Sequence, residues 1–168
     1  MKKLATFLFI TLLSVSNAVY SKTVTERAAK DQVSYVSNDD PAMAKAYEKA
    51  KATLDSFLLL AQSPPLNTTA FSVKVGIREG KHTEYFWISD ITQSGNQLQG
   101  RINNEPELVK SVKNGQMYSF AKSKIVDWTY RDRTKHRTFG NFTACALLSK
   151  EPANEDEEFK KQYGLECN

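Results

Sequence analysis

The chain has 168 residues, 40% hydrophobic and 25% charged, and its 23 Lys and Arg against 19 Asp and Glu leave a formal net charge of +4. That composition is globular, and its small excess of charge, with no stripe of Lys and Arg, argues against a nucleic-acid binder. With two Cys, two His and no spaced ligand set, phosphate loop or nucleophile motif, the sequence predicts neither a metal nor a cofactor.

Residues 1 to 18 have the form of a bacterial secretion signal. Lys2 and Lys3 precede an apolar run from Leu4 to Val15 that stops at Ser16-Asn17-Ala18. The run is too short to span a bilayer, and Ser16 and Ala18 are the small residues a signal peptidase needs, so cleavage is expected after Ala18. No Cys follows closely enough to take a lipid, which predicts an exported, periplasmic chain without a membrane span. About 150 residues then remain, the usual size of one domain. The net charge falls to about +2 once Lys2 and Lys3 leave.

Residues 19 to 38 form a polar lead-in, in which only Gln32 to Val36 alternates like a strand. Asp40 reads as an N-cap with Pro41 at the first helical position. Met43, Ala46, Tyr47, Ala50, Leu54, Phe57, Leu58 and Ala61 then recur on one helical face, and Ser63-Pro64-Pro65 ends the helix.

From Phe71 the period changes to two. Phe71, Val73, Val75 and Ile77 mark a strand, Arg78 to Lys81 a turn, and His82 to Ile91 a second strand whose Tyr85-Phe86-Trp87-Ile88 is apolar on both faces. Ser94-Gly95-Asn96 turns the chain into a third strand, Gln97 to Ile102. Asn103 to Pro106 is expected to start a short helix with Leu108, Val109 and Val112 inward and Gly115 closing it. Strands are expected at Gln116 to Phe120, Lys124 to Tyr130 and near Asn141 to Ser149. A carboxy-terminal helix follows, with Asn154 and Glu157 as a capping box and Gly164 at its end. The fold class is α+β: a curved antiparallel sheet of about six strands under one long amphipathic helix, with a short second helix and a carboxy-terminal helix.

Cys145 and Cys167 are an even pair in a chain expected to be exported, which predicts a disulfide stapling the tail. Otherwise Cys145 is a small buried hydrophobe and Cys167 frays with the terminus. His82 and His136 fall in turns and read as solvated. Asp90, Glu105, Glu107 and Asp127 offer carboxylates for a glycosidase-like acid and base, although acids at a helix start and beside turns serve equally as caps. Arg131, Arg133, Lys135, His136 and Arg137 concentrate positive charge in one turn, beside Trp128 and Tyr130. That cluster suits an acidic protein, an anionic glycan or a phospholipid headgroup, and equally a solvated hairpin tip. Asn67-Thr68-Thr69 matches a glycosylation sequon, which a bacterial host would leave unused.

Asp39-Asp40-Pro41-Ala42-Met43, Ala50-Lys51-Ala52-Thr53-Leu54, Glu84-Tyr85-Phe86-Trp87-Ile88, Asn104-Glu105-Pro106, Ile125-Val126-Asp127-Trp128 and Gly140-Asn141-Phe142-Thr143 occur in that order. Over roughly residues 32 to 148 this pattern resembles the YegJ-like family of bacterial domains of unknown function. The resemblance implies a compact bacterial domain and singles out Asn104, Glu105, Pro106, Asp127, Trp128, Gly140 and Asn141. It implies no activity, cofactor or catalytic residue. The functional expectation is a non-enzymatic exported module, inhibitor-like, that binds an envelope protein or an anionic ligand; the alternative is a cell-envelope hydrolase acting through Glu105 and Asp127.

Overall fold

The structure, a computed structural model, describes residues 40–167. The expected signal, its cleavage site and the strand at Gln32 to Val36 lie outside the described residues. Helix α1 (Pro41–Gln62) begins as its sequence dictates: Asp40 is extended, and its Oδ1 accepts from Ala42 N at 2.9 Å and Met43 N at 3.2 Å. The other carboxylate oxygen pairs with Lys150, and that ammonium together with the two backbone donors holds the carboxyl below the usual carboxylate range. Met43, Ala46, Ala50, Leu54, Phe57 and Leu58 are buried in a single stripe.

Six strands follow: β1 (Thr68–Glu79), β2 (His82–Ser94), β3 (Gln97–Ile102), β4 (Met117–Ala121), β5 (Ile125–Asp132) and β6 (Arg137–Gly140). They form one sheet in the order β4-β3-β2-β1-β5-β6, with every neighbouring pair antiparallel. The link from β4 to β5 shows how far the sheet is coiled. Three strands separate them, about 19 Å across a flat sheet, yet a single 3-10 turn, Lys122–Lys124, joins them, and four residue steps reach at most about 14 Å. The sheet curls around α1, and Lys122 pairs with Asp55 of that helix. Inside lie Val73, Val75, Phe86, Ile88, Leu98 and Ile102, at most 1% exposed, packed on Leu54 and Phe57. Tyr85 and Trp87, on the opposite face of β2, are half-buried.

Three expectations fail locally. Residues 103–116 form no helix, because carboxylates from the sheet take the N–H groups a helix would use. The fully buried Glu84 accepts from Glu107 N at 2.8 Å and from Leu108 N and Val109 N at 2.9 Å, and Glu79 accepts from Lys110 N and Ser111 N. Val109 and Val112 do point inward, whereas Leu108 is exposed. The last strand is β6, not Asn141 to Ser149; that stretch is helix α2 (Phe142–Leu148). Its first turn is capped across the fold by Asp127, and a local pattern cannot register such a cap. Helix α3 (Ala153–Tyr163) starts after Pro152 with no side-chain cap, so Asn154 and Glu157 form no capping box, although Gly164 does close the helix in the left-handed conformation.

Cys145 and Cys167 are joined, with Cα atoms 5.3 Å apart across 22 positions. The tail is also docked on β6: Thr138 N donates to Gly164 O at 2.8 Å, Thr138 Oγ1 donates to Tyr163 O at 2.7 Å, and Arg137 pairs with Glu166 at 2.6 Å. A Cβ at Gly164 would lie 2.2 Å from His136 O, so only glycine permits this approach. Because the cross-link restricts the unfolded chain, its reduction should cost about 3 kcal/mol, or roughly 10 °C in melting temperature. Melting with and without a thiol reductant checks this, and a shift below about 2 °C would show that the tail contacts suffice without the bridge.

Candidate functional site

The family-like positions serve mainly to connect elements. Asn104 Oδ1 accepts from Trp87 N at 2.7 Å and extends the pairing of β2 where β3 leaves it. Glu105 accepts from Asn114 Nδ2 at 2.9 Å, and the half-buried Pro106 stands just before the segment held by Glu84. Gly140 and Asn141 both have positive φ, +75° and +54°, and turn β6 into α2; Asn141 N donates to Trp128 O at 2.7 Å.

Asp127 lies beneath α2 and is fully buried. Its Oδ1 accepts from Trp128 N at 2.8 Å and Phe142 N at 3.2 Å, and its Oδ2 accepts from Thr143 N at 2.8 Å and Thr143 Oγ1 at 2.6 Å. Lys74, paired with Asp127 across β1 and β5, donates from Nζ to Thr143 Oγ1 at 2.6 Å and stands 4.6 Å from the centre of the Trp87 ring. Burial pushes the Asp127 carboxyl up against the pull of Lys74, and pushes the Lys74 ammonium down against the pull of Asp127. Tyr47 of α1 hydrogen-bonds Tyr85 near the same carboxylate. Burial first, then Tyr85 and Asp127, raises its phenol well above the ordinary value.

Sequence reasoning missed Lys74, Thr143, Tyr47 and Tyr85. A lysine between Val73 and Val75 in an alternating strand was the available signal, but its partners are 53 and 69 positions away, and only the fold brings them together. The expected carboxylate pair is not assembled. Glu105 is engaged with Asn114 in the 103–116 segment, Asp127 is saturated under α2, and Asp90 pairs with Arg101 at 3.2 Å. Thr143 is 3% exposed, so neither it nor Asp127 meets solvent where a substrate would stand.

The aromatic residues make an open site instead. The Trp128 indole donates to Ala50 O at 3.2 Å and Thr53 Oγ1 at 3.1 Å, and its ring stacks on Phe57 at 4.9 Å. Tyr130 stacks between Phe71 at 5.1 Å and Phe139 at 4.9 Å, while Phe142 meets Trp128 edge-on at 5.3 Å. Trp128, Tyr130, Phe139 and Phe142 line a groove of about 480 Å³ between α1 and the β5–β6 hairpin.

The basic turn is the tip of that hairpin, with Arg133, Lys135, His136 and Arg137 exposed and Arg131 half-buried. The tip is ordered locally. Asp132 accepts from Thr134 N at 2.9 Å and Lys135 N at 3.1 Å, and Arg133 N donates to Asn67 O at 2.9 Å. His82 is exposed, but it is the first residue of β2, paired with Glu79, and not a turn residue. Among the described residues no group of three or more His, Cys, Asp and Glu could hold a metal ion, and no helix is long and apolar enough to cross a membrane.

The chain is 33% identical over 122 residues to "Uncharacterized protein YegJ" of Escherichia coli (strain K12), covering 73% of this chain and 77% of that one. It is also 26% identical over 140 residues to a protein named "Putative ankyrin repeat protein" of Neisseria meningitidis serogroup B, covering 79% of this chain and 54% of that protein. No solved structure matches significantly. The family described as "Uncharacterized protein conserved in bacteria (DUF2314)" matches residues 40–167, the whole of the described fold, and the chain belongs to that family.

Proposed function

We propose that this protein is a non-enzymatic binding module, exported to the bacterial periplasm, that engages another protein through the groove between α1 and the β5–β6 hairpin. The observation that carries this reading is the groove itself, floored by Trp128, Tyr130, Phe139 and Phe142. Aromatic side chains offer large contact area for little conformational entropy, which is why they dominate binding surfaces. The cations of the hairpin tip stand beside it and favour an acidic partner. An inhibitor-like role, in which the module occludes a partner's site, is the concrete form of this reading. Lys2, Lys3 and the apolar run to Val15 support export, and the disulfide supports an oxidising compartment.

The test is site-specific photo-crosslinking in living cells from two positions, Ser56 in the groove and Lys81 in the β1–β2 turn. A discrete protein adduct from Ser56 alone is expected, on a chain that begins at Val19 in the periplasmic fraction. No adduct, or the same adducts from both positions, would overturn the binding reading; a cytoplasmic chain retaining Met1 would overturn export.

A further inference from the structure

A second depression, of about 280 Å³, lies between the first turns of α1 and the α2–α3 region. Lys49, Phe142 and Glu166 line both it and the aromatic groove, so the two hollows meet at these residues. The wall they share is one helical stripe of α1, from Ala42 through Lys45, Lys49, Thr53 and Ser56 to Leu60. Those 18 steps span about 27 Å, the length of roughly eight residues of extended chain.

The two halves differ in chemistry. The half beside β5 and β6 is aromatic. The half beside α3 is charged, and its walls carry Lys45, Lys49 and Lys160 against Asp156 and Glu166. Both acids sit in ion pairs, Asp156 with Lys160 at 2.6 Å and Glu166 with Arg137 at 2.6 Å, and Lys160 also pairs with Glu157 at 3.4 Å, so with Arg137 and Glu157 counted this half keeps a small positive excess that Lys45, at the outer end of the stripe, carries. Lys49 stands 5.2 Å from the centre of the Phe142 ring, at the junction.

From this continuity we infer that the two hollows are one channel, which takes an extended peptide segment of about eight residues from a partner protein. Acidic side chains of the segment lie by Lys45 and Lys49, and an aromatic or large aliphatic side chain lies over Tyr130 and Phe139. The inference rests on the binding reading above and specifies its partner. A folded partner presenting only a surface patch would need the aromatic half alone, whereas an extended segment needs both.

The experiment is selection of a random octapeptide phage library on the intact protein as recovered from cells, followed by fluorescence anisotropy with the consensus octamer. A consensus joining acidic positions to one aromatic position is expected. Lys45→Glu and Ser56→Arg should each weaken the octamer at least tenfold, with unchanged melting temperature because both side chains are exposed. A tetramer holding only the aromatic half should respond to Ser56→Arg and not to Lys45→Glu. Selection without such a consensus, or an octamer indifferent to either variant, overturns the channel. An adduct from Ser56 alongside failed selection removes the extended segment and keeps the binding module; failure of both removes the module itself.

Discussion

Asp127→Ala is expected to destabilise the fold by about 3–5 kcal/mol, because this one buried carboxylate accepts four hydrogen bonds and offsets the charge of Lys74. The substitution leaves Phe142 N and the Thr143 N–H and hydroxyl without their acceptor, and leaves the half-buried Lys74 without its nearby opposite charge. Each loss alone costs about 1–3 kcal/mol, and they share one site, so they will not simply add. Lys74→Met in the same background should therefore recover part of the loss, because it removes the stranded ammonium. Denaturant titration of the parent, the two single variants and the double variant gives the coupling directly. If Asp127→Ala lies within about 1 kcal/mol of the parent, Asp127 is not what holds α2 against the sheet.

The second large effect is expected at Gly140. Its φ of +75° is a conformation that other residues adopt with strain, and a Cβ there would lie 2.1 Å from Trp128 O and 2.5 Å from the Trp128 ring. Backbone strain and overpacking each cost about 1–3 kcal/mol, so Gly140→Ala should lose about 2–6 kcal/mol. Because the collision is with the indole that floors the groove, Trp128 fluorescence should shift in the folded variant as well. A variant as stable as the parent, with unchanged emission, would mean that the β6–α2 turn yields freely.

Together these results would separate the positions that hold the fold from the surface proposed to bind. Asp127, Gly140, Asn141 and Asn104 occupy joints, where a side chain substitutes for a backbone partner or a backbone passes too close for a Cβ. The groove is built from residues that face outward from those joints, chiefly Tyr130, Phe139 and the α1 stripe.

What the sequence determined by itself is whatever depends on neighbours along the chain. The cap at Asp40, the stripe of α1, the alternation in β1, the strand character of β2 and the stop at Gly164 follow from spacings of one to four residues, and the structure places all of them. The α+β class was legible for the same reason, whereas the YegJ-like resemblance rests on six short motifs in order over roughly residues 32 to 148. Tertiary structure decided the elements whose backbone groups are satisfied from a distance. Glu84 and Glu79 hold 103–116 out of a helix, and Asp127 starts α2 in a stretch whose composition alone suits a strand. The groove belongs to this second class: the sequence singled out Trp128 and Tyr130 but not Phe139, and only coiling of the sheet around α1 and docking of the tail by the disulfide give these rings opposing walls. Local propensity is worth tenths of a kcal/mol per residue, whereas a buried carboxylate that must find its donors is worth about 1–3 kcal/mol, so the distant partner prevails wherever the two compete.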